Sequence, residues 1–164
     1  MYLLLPPSLC AALSHDLWRC IDKPTRQLLR HMDDFTYLHA LEQLLLAFKA
    51  HTHNQPNTPF HPPALPPSTA RFFTPLPSPL AGEVALHVPD AFLRHLLYGV
   101  LQWHVMYSAG RGSGSGSGGR ERRGGGGVRG AVDAGVVCVR MQRGCVNHEC
   151  RLERFIQQHY GDKR

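Results

Sequence analysis

Apolar side chains recur at three- and four-residue steps through Phe35, Leu38, Leu41, Leu45 and Phe48, with Tyr37 and Leu44 widening the stripe. An α-helix turns once per 3.6 residues, so this spacing gathers them on one side and predicts an amphipathic helix over residues 33–50. Asp33 or Asp34 is placed to accept from the open N–H groups at its start, and Glu42, Gln43 and Lys49 are expected on the polar side. A different rhythm follows in Glu83–Val88: Val84, Leu86 and Val88 alternate with Ala85 and His87, as in a half-buried strand. Pro89 ends that strand, and Asp90 caps a second helix from Ala91 to about Val105. Its apolar face is Phe92, Leu93, Leu96, Leu97, Val100, Leu101 and Trp103. Gly99, inside it, costs about 1 kcal/mol relative to alanine and suggests close approach of another backbone. Val136–Val139 is a short β-branched run that reads as a buried strand. A last helix is expected from Asn147 to Tyr160, with Leu152, Phe155 and Ile156 inward.

Between these elements the pattern fails for physical reasons. Nine of the thirteen prolines lie in residues 51–82, where fixed φ and missing N–H donors stop helix and sheet from propagating. An extended loop is expected there, with Arg71, Phe72 and Phe73 folding back. Residues 109–130 are almost wholly Gly, Ser and Arg and cannot build a core, so a flexible, disordered insertion is expected. Residues 1–31 carry a weaker pattern: a short helix from Ser8 to Cys20 with Leu9, Leu13 and Trp18 inward, an interruption at Pro24, and another turn or two over Thr25–His31.

The expected organisation is an N-terminal segment (1–31), a domain over 33–141 carrying both long insertions, and a C-terminal helix within 142–164. The fold class is α/β of the α+β kind: a small mixed or antiparallel sheet with two or three helices packed on it.

Composition narrows the partners. The formal net charge is +6, and of eighteen basic residues only Lys23, Lys49 and Lys163 are lysine. Arginine's planar fork suits phosphate and stacks on bases, which favours an acidic partner, nucleic acid first; the plain alternative is a solvated basic surface. Five scattered cysteines, Cys10, Cys20, Cys138, Cys145 and Cys150, do not look like a secreted disulfide framework, so an intracellular compartment, nuclear or cytoplasmic, is expected. No apolar run reaches the roughly 18 residues of a membrane span. Met1–Leu5 is broken by Pro6 and Pro7 and has no basic residue before it, so no secretory signal is expected.

The second helix is where binding chemistry concentrates. Arg94 and Tyr98 are four residues apart and share one face. An arginine beside an aromatic hydroxyl can hold a phosphate and support a base or sugar; alternatively Arg94 is solvated and Tyr98 packs against the core edge. The run from Pro89 to His104, Pro-Asp-Ala-Phe-Leu-Arg-His-Leu-Leu-Tyr-Gly-Val-Leu-Gln-Trp-His, resembles the central helix of R-three-H domains, in which an aromatic precedes an Arg-x-x-x-His motif. Tyr107-Ser108 sits where that family leaves the helix toward a strand, and the helix of residues 34–50 is similar to the family's first helix. The resemblance covers about 33–141 without the insertions. It implies a small sheet with helices on one side, binding of single-stranded DNA or RNA, and phosphate contact by Arg94. The family's histidine position holds Tyr98 here. His95, adjacent to Arg94, points about 100° away around the helix and is a poor substitute.

The Gly/Arg insertion points to the same partner. Arg123-Gly124-Gly125 is one RGG unit, and Arg111-Gly112 and Arg129-Gly130 are related. With Arg120 and Arg122 they offer charge and stacking with little sequence preference; a neutral expansion in a loop is the other reading. Cys145, His148 and Cys150, with Cys138, lack the paired Cys-x-x-Cys of structural zinc sites, so no metal or other cofactor is expected. No nucleophile elbow, phosphate loop or His-Glu-x-x-His is present, and no catalytic residues are expected. The expected function is therefore non-enzymatic binding of single-stranded nucleic acid by Arg94, Tyr98 and the arginines of the insertion. Changing Arg94 should weaken it more than changing Lys49. The rival is a protein-interaction module with a degenerate nucleic-acid site, which Tyr98 in place of histidine and the Pro-rich loop both favour.

Overall fold

The computed structural model describes residues 7–109, 135–141 and 150–161. Among them the order is α1 (Pro7–Cys20), α2 (Lys23–Arg30), α3 (Thr36–Asn54), α4 (Pro67–Ala70), β1 (Thr74–Leu76), β2 (Glu83–His87), α5 (Ala91–Trp103), β3 (Met106–Ala109), β4 (Val136–Met141) and α6 (Leu152–Tyr160). The architecture is α+β. The strands form one sheet in the order β1-β2-β4-β3, antiparallel throughout.

The stop and start signals act locally. Asp22 accepts from the Thr25 amide at 2.9 Å, so Pro24 opens α2 in its first turn rather than interrupting a helix. Asp34 accepts from Thr36 N at 2.8 Å and starts α3. Asp90 accepts from Phe92 N and Leu93 N at 2.7 and 3.0 Å and starts α5, as the sequence predicts. After His104, Val105 takes φ 56°, a left-handed conformation unusual for a β-branched residue, and turns the chain into β3.

One core joins the helices to the inner sheet face of Val84, Leu86, Val88, Val137 and Val139. α1 and α2 both pack on α5, so the N-terminal segment contributes to the core through Leu17, Trp18, Ile21 and Leu29. Gly99 lets α2 approach, but through side chains: a Cβ there would lie 2.6 Å from the Thr25 methyl and 3.5 Å from Ile21.

Several expectations need correction. The Pro-rich stretch is not a plain loop: α3 extends to Asn54, α4 and β1 form within it, and Phe60 and Phe73 are buried. β2 is central rather than half-buried, with Glu83, Val84, Ala85 and Leu86 all covered. Glu42 and Lys49 are buried, not on the polar side of α3. They are seven residues apart, about two turns, and so share one side. Glu42 can sit inside because it gains three donors: His104 Nε2 at 2.8 Å, Leu152 N at 2.7 Å and Glu153 N at 3.3 Å. Phe92, expected inward, is half exposed. The expected cap Asn147 lies outside the described residues. Arg151 supplies no side-chain cap to α6, and Glu42 satisfies its first N–H groups instead.

Candidate nucleic-acid interface

The corner between β2 and α5 is built around Arg94. From the first turn of α5 its Nη1 donates to Val88 O and Pro89 O, each at 2.7 Å. Nη2 and Nε hold no bond to a described residue, and the side chain is half-buried. The guanidinium is thus partly committed to holding the corner and partly open. Asp90 already occupies the helix N-terminus, so an incoming anion meets side chains there rather than free N–H groups.

Gly135 lies against the same corner. Its O accepts from Val88 N at 2.8 Å, extending the β2–β4 ladder by one residue. At φ 114°, a Cβ on it would fall 2.9 Å from Val88 O and 3.5 Å from Arg94 Nη1. Only glycine suits that conformation and approach. β3 and β4 pair antiparallel, with Ala109 opposite Cys138. The chain therefore leaves and re-enters the sheet at its Arg94 end. Arg111, Arg120, Arg122, Arg123 and Arg129 all belong to that connection and lie outside the described residues.

Tyr98 lies one turn beyond Arg94 and is 43% exposed; Phe92 at 50% and Tyr107 at 46% are the other exposed phenyl or phenol rings among the described residues. All three fall between the start of α5 and β3, so Tyr98 does not pack into the core edge. His95 does not replace the family's histidine: its Nε2 lies 2.8 Å from the Thr25 hydroxyl, which also bonds Asp22. That hydroxyl, followed by the Thr25 amide and the charge of His95, holds the Asp22 carboxyl below the ordinary carboxylate range.

Other charges are already engaged. Arg140 gives Nε and Nη2 to Glu83 at 2.9 and 2.8 Å, and Ser78 donates to the other Glu83 oxygen at 2.9 Å. Burial of Lys49 removes it as a fair surface comparison for Arg94. No group of three or more metal-ligating side chains occurs among the described residues; Cys145 and His148 lie outside them. No helix among the described residues is long and apolar enough to cross a membrane.

A concave surface lies elsewhere, where composition gave no sign of one. A groove of about 760 Å³ runs between α3 and the Pro-rich segment, lined by Phe35, His39, Leu44, Pro63, Leu65 and Glu153. His39 Nδ1 meets Glu153 Oε2 there at 2.9 Å. Comparison with protein-family models, with curated proteins and with solved structures finds no match to this chain.

Proposed function

We propose that this chain is a non-enzymatic binder of single-stranded nucleic acid, and that the strand contacts the corner between β2 and α5. The observation that supports this reading is the juxtaposition at Gly135: the C-terminal end of the arginine-rich connection enters the sheet beside Arg94, with the exposed ring of Tyr98 one turn away. A partly open guanidinium, a ring free to stack and a tethered cationic segment together combine charge with sequence-tolerant stacking. The resemblance to R-three-H domains supports the same partner. Tyr98 in the histidine position shifts the weight from hydrogen bonding to stacking. An intracellular location suits the free thiols of Cys20 and Cys138.

The test is fluorescence anisotropy with labelled single-stranded RNA and DNA across a salt series. Affinity is expected to fall linearly on a log–log plot as salt rises. Tyr98→Ala should weaken binding at every salt concentration, by about five-fold or more. Replacing the five arginines of the connection by serine should flatten the salt slope. Salt-independent or undetectable binding of the unaltered chain would sink the proposal.

A protein-docking reading is favoured by one observation, the apolar groove beside Pro63 and Leu65. Leu65→Glu would block a peptide there and leave strand binding unchanged.

A further inference from the structure

We infer that the strand has a second contact surface where α1, α2 and α6 meet, built from Arg30, Tyr160, His15 and His159. This rests on the nucleic-acid reading and adds a surface that the Arg94 corner does not include.

Arg30 is the centre of it. Its guanidinium carbon lies 4.5 Å from the Tyr160 ring centroid and 5.6 Å from that of Trp18, and Nη2 donates to the Tyr160 hydroxyl at 3.2 Å. The residue is exposed and forms no ion pair with a described residue. Rings hold it in place without neutralising its charge. The fork is therefore ordered in advance, with N–H groups left for a phosphate.

The rings behind it are continuous. Trp18 lies 5.6 Å from Tyr160 and 5.4 Å from Phe155; Phe155 lies 4.5 Å from His159, and His159 lies 4.9 Å from His15. Trp18 and Phe155 are buried and fix the array, whereas His15 and His159 reach solvent. The exposed edge thus presents imidazole rings and donors beside a stacked cation, the groups that hold bases and phosphates. Asp16, the nearby carboxylate on α1, is drawn toward Arg19 at 3.8 Å.

α2 connects this surface to the first one. Its Thr25 carries the His95 bond and touches α5 at Gly99, next to Tyr98. Arg30 is five residues further, about 7.5 Å along the axis. Gln27 is exposed between them. A strand leaving Tyr98 therefore crosses one short helix to reach Tyr160.

The experiment compares labelled single strands of about 4 and about 16 nucleotides, the range that single-strand folds occupy, on the full chain and on Arg30→Gln, His159→Gln and Tyr98→Ala. Circular dichroism confirms that each variant is folded. Arg30→Gln should leave the short strand within about two-fold and weaken the long one about ten-fold. His159→Gln should give a smaller loss with the same length dependence, and Tyr98→Ala should weaken both lengths. Unchanged long-strand affinity in both Arg30→Gln and His159→Gln, with Tyr98→Ala still impaired, overturns the second surface and spares the first. Equal loss at both lengths in Arg30→Gln places Arg30 in the first site and overturns the two-surface arrangement. Displacement of the long strand by polyglutamate as readily as by unlabelled strand identifies a general anion site and overturns the strand assignment. No binding at either length overturns both readings.

Discussion

Glu42 and His104 meet at 2.8 Å with no exposed side-chain surface on either residue. The Glu42 carboxylate also takes two backbone N–H groups from the start of α6, so the ring nitrogen facing it carries the proton. One carboxylate thus ties α3, the end of α5 and α6 together. His104 Nδ1 is buried without a hydrogen-bond partner among the described residues, which makes the Nε2 contact the one that orients the ring.

Glu42→Ala should therefore destabilise the fold by about 2–4 kcal/mol, because buried donors at His104 and Leu152 lose their acceptor at about 1–3 kcal/mol each. Hydrogen exchange should show α6 losing protection before α3. Urea denaturation gives the magnitude. A loss below about 1 kcal/mol would show that α6 is held by Leu152, Phe155 and Ile156 alone.

Arg94→Ala acts on the fold as well as on binding, because two carbonyls lose their donor. Urea midpoints should fall by an amount corresponding to about 1–3 kcal/mol. Tyr98→Ala, at an exposed ring, should change stability by no more than about 0.5 kcal/mol. Comparing the two variants separates the binding contribution from the structural one.

Gly99→Ala tests the contact between α2 and α5. Helix propensity favours alanine by about 1 kcal/mol. The added methyl would sit 2.6 Å from the Thr25 methyl, and Thr25 is held by Asp22 and His95. Overpacking typically costs 1–3 kcal/mol, so a net loss of about 1 kcal/mol is expected. Thr25→Ser in the Gly99→Ala background should restore part of it.

Two groups set pH limits in opposite directions. Burial, with Asp90 adding, raises the Tyr37 phenol far above its usual range, and its hydroxyl donates to Leu93 O at 2.8 Å. Its contribution is complete below the unfolded value of about 10 and is lost as pH rises through the folded one. In an ultraviolet titration Tyr37 should ionise together with alkaline unfolding, and that step should be missing in Tyr37→Phe. The Asp22 carboxyl is depressed, so its contribution is complete above about 3.9 and is lost as pH falls through the lower folded value. Asp22→Asn should flatten the acid limb of a stability–pH curve.

The sequence made some elements legible because local signals agreed with packing. Asp90 before an apolar face marked α5, and the β-branched run at Val136–Val139 marked β4. β1 and β3 were not visible: three and four residues long, they exist because β2 and β4 offer partners, which no local pattern records. Glu42 read as solvated because its compensating donors lie more than sixty residues away. At the candidate site, the pairing of Arg94 with Tyr98 on one helix face followed from spacing alone. The carbonyls that take half of Arg94, and the approach of Gly135, come from β2 and β4 and follow from no periodicity. The ring array at Arg30 escaped for the same reason, since Trp18, Arg30 and Tyr160 sit on three different helices.

The register between β3 and β4 has a thermodynamic corollary. Closing a long connection between two paired strands costs an entropy that grows only with the logarithm of its length, so each halving returns about 0.6 kcal/mol. Exchange of residues 110–134 for a tight glycine turn is accordingly expected to raise stability by about 2 kcal/mol. Such a shortened chain would lose five arginines while the register that sets Ala109 opposite Cys138 is kept, so stability and strand affinity would respond to the exchange in opposite directions.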